Sequence, residues 1–213
     1  MVVKQRARKD EDKAERRRSI LETAVGLLQA QGFHEITMAE VARRAGLAKG
    51  TLYLYFKSKE ELFLAALEME LDDWFSDVAA LLSPGPLEVP ALATGLAKSL
   101  SEHPRLLELM ALLHNVLEQN IEVDTARHFK RRLLGNMQVA SALVEAALPD
   151  LPRGSGPTLL LRMYALVVGF RQMAEPAENV AEALSTDDLA PLRVDFEPAF
   201  AGAIIDLIRG MMG

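Results

Sequence analysis

The densest group of side chains able to do chemistry lies between Lys49 and Tyr55. A lysine ammonium reaches a phosphate oxygen or the acceptor edge of guanine, a threonine methyl meets the methyl of thymine, and tyrosine hydroxyls bond backbone oxygens. Lys49, Gly50, Thr51, Tyr53 and Tyr55 therefore form a set suited to a duplex groove. Singly each has a plainer use, since a lysine can simply be solvated and Tyr53 can be half-buried packing. Their joint spacing is what points to contact.

Other chemistries find little support. The chain has no cysteine, which removes disulfides, thiolate nucleophiles and cysteine-type metal sites together. Its histidines, at 34, 103, 114 and 128, lack metal-ligand spacing, and no nucleophile elbow, phosphate-cradling glycine loop or dinucleotide fingerprint is present. No catalytic residue, metal or cofactor is expected. No apolar run approaches the ~18 residues of a membrane span, and Met1 to Glu15 has no apolar signal region. The expectation is a cytoplasmic protein with no membrane partner.

The elements that position the Lys49–Tyr55 set follow from periodicity. Apolar residues recur at helical spacing along the 213 residues, and no stretch alternates with a period of two, so the chain reads as all-α. A first helix, about Lys13 to Gln31, carries the stripe Ile20, Leu21, Ala24, Leu27 and Leu28, with Gly32 as its stop. Thr37 followed by Glu40 is a capping box, and Gly46 ends the helix it opens. A short helix spans about Ala48 to Tyr55, and a second box, Ser58 with Glu61, opens a long helix to Leu82. Thr37 to Tyr55 thus has helix-turn-helix spacing, with Val41, Leu47 and Leu52 filling a shared core. Beyond Ser83-Pro84-Gly85-Pro86, helices are expected over Leu87–Ser101, Pro104–Asn120, Asp124–Leu148, Thr158–Ala174 and Phe196–Met212. The stretch between the last two reads as irregular, with one helical turn.

Charge is divided unevenly. Residues 1–60 hold 13 Lys/Arg against 8 Asp/Glu, whereas residues 61–213 hold 11 against 22. A basic head on an acidic body binds phosphates at one end only. Residues 1–15 read as a disordered arm of mixed charge, whose bases could track a duplex or remain solvated.

The stretches Ile20 to Ala24, Gly32-Phe33, Ile36 to Ala42, Ala45-Gly46-Leu47, Lys49 to Phe56 and Lys57 to Leu62 carry a resemblance. In order and spacing they resemble the DNA-binding domain of the TetR family of transcriptional regulators, across about residues 16–66. Leu54 departs from the pattern, which often has an aromatic or histidine there. The resemblance implies a three-helix DNA-binding domain at residues 16–60 joined to a helical effector-binding and dimerisation domain at 61–213. It further implies phosphate contacts by Thr37, Tyr53, Tyr55 and Lys59, base and backbone contacts by Lys49, Gly50 and Thr51, and lesser contributions from Arg43 and Arg44.

One short reading helix covers few base pairs, so two copies on a palindromic operator, hence a homodimer, are expected. Two helices carry more apolar surface than one monomer needs. Leu160, Leu161, Ala165, Val168 and Gly169 lie on one, and Phe200, Ala203, Ile204, Leu207 and Ile208 on the other; paired with their symmetry mates they would build a four-helix interface. The alternative is that both helices only close the monomer core.

The middle helices supply Trp74, Met110, Leu113, His114, Leu117, Phe129, Met137, Tyr164, Phe170 and Met173. In TetR-like regulators the equivalent region encloses a pocket, which here would take a small, mainly apolar effector. His114 and Glu118, one turn apart, could orient it or form a surface pair. Three readings stand at this point: a ligand-responsive repressor, a helical protein that binds DNA without an effector, and a helical enzyme with a borrowed head.

Overall fold

The computed structural model describes the backbone from Val2 and the side chains from Glu11, both through Gly213. Regular structure among the described residues is helical throughout. The elements are α1 (Val2–Gln31), α2 (Met38–Arg44), α3 (Lys49–Tyr53), α4 (Lys59–Leu82), α5 (Val89–Ser101), α6 (Pro104–Leu112), α7 (Val123–Ala147), α8 (Gly156–Ala174), α9 (Glu178–Ala183) and α10 (Phe196–Met212). A π-helical turn, Leu113–Leu117, follows α6, and a 3-10 segment, Asp187–Leu192, precedes α10. None of these helices is long and apolar enough to cross a membrane.

Two boundaries correct the sequence reading. Helix α1 begins at Val2, so the arm at 1–15 is helical from there onward instead of disordered. The arm's interleaved charges fall at i,i+4 spacing, as with Asp12 and Arg16, and residues 2–15 hold neither glycine nor proline. Arg18 Nε meets Glu22 at 3.0 Å in the same manner. The side chains of Lys4, Arg6, Arg8 and Lys9 lie outside the described residues. The helix expected over Pro104–Asn120 is the second difference: it loosens at Leu113, where i→i+5 pairing sets in, as in Glu118 N–H to Leu113 O at 3.0 Å.

The chain folds as two compact units, Met1–Met69 with Leu112–Phe129, and Glu70–Ala111 with Lys130–Gly213. The first unit therefore does not stop at residue 60. Its core joins Ile20, Leu21, Ala24 and Leu28 of α1 to Val41 and Ala42 of α2, Leu52 of α3, and Phe56 and Phe63, all at most 2% exposed. Helix α3 is too short to persist alone and has Leu52 as its buried residue. Burying such a side chain contributes about 1.5–3 kcal/mol. Leu47, expected in this core, is half-buried.

In the second unit α10 packs on α5 and α8. The inward stripe of α10 is Phe200, Ile204 and Ile208, and α5 presents Leu92, Ala93, Leu96, Ala97 and Leu100. Helices α7 and α8 approach closely at Gly156, where an added Cβ would stand 2.7 Å from Ser141 Cβ. Gly156 N–H donates to Glu145 Oε1 at 2.8 Å. That bond and one from the Gly154 N–H hold the Glu145 carboxyl below the usual carboxylate range.

Candidate nucleic-acid interface

The reading elements are built from local signals. Thr37 has extended backbone and caps α2, its Oγ1 accepting from Glu40 N–H at 3.2 Å. The Thr37 side chain is exposed, so its own O–H is left to donate outward. The Glu40 carboxylate does not complete the capping box; it accepts from Gln31 Nε2 at 2.9 Å and ties α2 to α1.

Helix α2 ends in a Schellman motif: Leu47 N–H donates to Ala42 O at 2.8 Å, Gly46 N–H to Arg43 O at 3.2 Å. Gly46 takes φ +66°, which a β-carbon would oppose. The turn so fixed leads into α3, which meets the core through Leu52.

Lys49 and Gly50 are exposed, Thr51 is half-buried, and Tyr53 is 42% exposed. The Lys49 ammonium lies 5.9 Å from the Tyr53 ring centroid, so cation and phenol share one face of α3. A β-carbon added at Gly50 would meet no atom within 4 Å. Gly50 is thus not required by packing within the chain, and a backbone approach by a ligand would explain it. Arg43 and Arg44 are exposed, Arg43 only 3.9 Å from Glu40. Tyr55 is half-buried and lines a cleft of about 370 Å³ with Arg17, Phe56, Lys57, Glu61, Glu122 and His128 among its walls.

Lys59 makes contacts within its own unit that the sequence reading did not include. Its Nζ turns inward, donating to Phe33 O at 2.8 Å and Ile36 O at 3.0 Å, and lies 4.1 Å from the Phe33 ring centroid. Burial lowers its pKa from the ordinary lysine value. Two of its three N–H donors are used on the α1–α2 connection, so Lys59 braces that loop.

Leu54, absent from the expected site, is 83% exposed directly after α3. An apolar side chain held in water at that place is the available signal, and it can meet a thymine methyl.

The other expected residues are divided between the two units. Leu113, His114, Leu117 and Phe129 belong to the first unit, and Trp74, Met110, Met137, Tyr164, Phe170 and Met173 to the second. Met173 is 55% exposed, and His114 Nδ1 pairs with Glu118 at 2.8 Å with its side chain mostly in solvent. In the second unit, Tyr164 O–H donates to Met110 O at 3.4 Å.

Of the apolar surface expected to pair copies, Leu161 is 63% exposed and Ala165 and Gly169 are exposed, with Val168, Ala203 and Leu207 half-buried. Phe200, Ile204 and Ile208 are 0% exposed. They close the core of their own chain and leave that surface. No cluster of three or more metal-ligating side chains occurs among the described residues.

Residues 20–66 match the model of bacterial regulatory proteins of the tetR family, and residues 68–213 that of the tetracyclin repressor-like C-terminal domain. The HTH-type transcriptional repressor KstR of Mycolicibacterium smegmatis is 37% identical over 103 residues, 47% of this chain and 50% of that protein. The HTH-type transcriptional activator FasR of the same organism is 41% identical over 68 residues, 32% of this chain and 31% of its own. The chain thus spans half of KstR and less of FasR. Among solved structures, FadR from Bacillus subtilis in complex with stearoyl-CoA has a TM-score of 0.54 at 15% identity, covering 89% of this chain and 96% of that one. That likeness is one of fold.

Proposed function

This chain belongs to the TetR family of DNA-binding bacterial transcriptional regulators, and from that premise we propose that it is a homodimeric repressor released from a palindromic operator by a small, mainly apolar effector. The outward face of α3 carries the reading: Lys49, Gly50 and Tyr53 are exposed, with Thr51 half-buried beside them. Thr37, Tyr55, Arg43 and Arg44 flank that face, and Leu54 extends it with an apolar contact.

The sign of regulation follows KstR, a repressor that aligns over more of this chain than the activator FasR does. The exposed side of α8, with Leu161, Ala165 and Gly169, supports pairing of two copies. FadR, solved with stearoyl-CoA, supports an effector site in a body of this fold. Here that site falls to the second unit, with Trp74, Met110, Met137, Tyr164, Phe170 and Met173 as its residues. Membership of a regulator family also favours this reading over an enzyme.

The deciding experiment is a band shift on a palindromic fragment from upstream of the gene. Binding should fall with added salt as Lys49 and its neighbours compete with counterions for phosphates. Lys49→Ala should weaken binding and flatten the salt slope; a complex indifferent to both would remove the proposal.

A further inference from the structure

On α4, in the second unit, two polar groups are buried one helical turn apart. Trp74 is 6% exposed and its indole Nε1 has no hydrogen-bond partner. Glu70 is 8% exposed and lies four residues earlier on the same helix face. Asp77, one turn further, accepts from His103 Nε2–H through Oδ2 at 2.9 Å, which sets the start of α6 beside this face. Leaving a buried donor unmatched costs stability, and withdrawing a carboxyl from water costs more if it is charged. Burial, ahead of the pull of Arg105, moves the Glu70 carboxyl above its ordinary range.

We infer that Glu70 and Trp74 hold the polar end of the effector, and that this end is an uncharged hydroxyl on an otherwise apolar molecule. The inference rests on the effector-responsive reading given above. The indole N–H needs an acceptor, which an ammonium group lacks. A carboxylate would accept, yet it has no proton to give Glu70 and would set a second acid against that buried carboxyl, which its surroundings, Arg105 included, already hold above its ordinary range. A hydroxyl accepts from Trp74 and donates to Glu70 with the same oxygen. The core-facing residues Leu71 and Val78 on α4 suit an apolar remainder.

Trp74 is the sole tryptophan, so its emission reports the site directly. The full-length protein is titrated with 1-decanol, decanoate and decylamine. Saturable change in Trp74 emission is expected with 1-decanol at the lowest concentration of the three. Glu70→Leu should weaken 1-decanol about tenfold, the loss of a buried hydrogen bond, while Glu70→Gln stays within about threefold. Circular dichroism confirms that each variant keeps its helices, and should Glu70→Leu fail to fold, Trp74→Phe followed by calorimetry takes its place with the same tenfold expectation. Tighter binding of decylamine or decanoate overturns the assignment. So does silence with all three probes, or equal 1-decanol affinity with and without Glu70. Band shifts on the same samples keep the two readings apart. A protein that holds its operator but ignores 1-decanol loses this inference alone, whereas one that ignores the operator loses the functional reading while the emission data still decide for Glu70 and Trp74.

Discussion

The Lys59 ammonium bonds the Phe33 carbonyl at 2.8 Å and lies 4.1 Å from the centroid of the same residue's ring, joining the start of α4 to the end of α1 through one residue. A second bond, to Ile36 O, closes the clamp over the segment that leads into α2. Removing the ammonium leaves two carbonyls unmatched in a part-buried place. Lys59→Met, which keeps the stem, should lower stability by about 1–2 kcal/mol, seen as a lower denaturation midpoint. Operator affinity measured well below that midpoint should change little. A large affinity loss at unchanged stability would return Lys59 to the phosphate-binding set.

Gly50 tests the converse case. Space around it is open, so Gly50→Ala should fold normally and gain up to about 1 kcal/mol of helix propensity. If α3 meets a duplex through its backbone at this position, the same methyl should reduce operator affinity about tenfold or more. Thermal melts and band shifts on one preparation separate the two effects, and undiminished affinity would remove Gly50 from the interface.

Gly156 is fixed by packing. A methyl there would stand 2.7 Å from Ser141 Cβ and 3.0 Å from Ser141 Cα, and backbone cannot yield as a flexible side chain does. Gly156→Ala should destabilise by about 1–3 kcal/mol in chemical denaturation. Pairing it with Ser141→Gly should recover part of that loss, because the worst contact is with the Ser141 β-carbon.

Glu70 gives a pH signature in the effector-free protein. Its folded pKa lies above the ordinary carboxyl value of 4.5, so between the two values the folded state binds more protons than the unfolded one. Stability from this group is then full below pH 4.5 and is lost as pH rises through the folded pKa. Glu70→Gln should therefore be more stable than the parent at neutral pH, and the two melting curves should converge in acid. A parent that is the more stable at pH 7 would mean that Glu70 is well paired as a carboxylate.

Which features could be read in advance depended on how far apart their partners lie. The caps at Thr37 and Ser58 and the turn at Gly46 were legible because each is settled within four residues, as Glu61 N–H to Ser58 Oγ at 3.1 Å illustrates. The inward turn of Lys59 was not, since its partners are 26 and 23 positions away along the chain. Leu54 was visible as an anomaly, but its 83% exposure depends on how α3 sits on its core. The onset of π pairing at Leu113 has no counterpart in composition, because Leu113 and Leu117 remain buried at ordinary helical spacing.

Helix α10 shows the same limit. It is apolar on several sides, so periodicity alone does not say which stripe faces its own core. The structure turns Phe200, Ile204 and Ile208 inward against α5 and α8, and leaves Leu161 of α8 63% in solvent. Two glutamates should therefore behave differently. Ile204→Glu places a charge in a sealed core and should prevent folding, at a cost of several kcal/mol. Leu161→Glu should leave monomer stability within about 0.5 kcal/mol, as for an exposed position, yet shift sedimentation toward a single subunit. Because two linked reading heads gain from effective concentration, operator affinity should fall with that dissociation although no residue near α3 has changed. Leu161→Glu that still sediments as a dimer would move the interface off this side of α8.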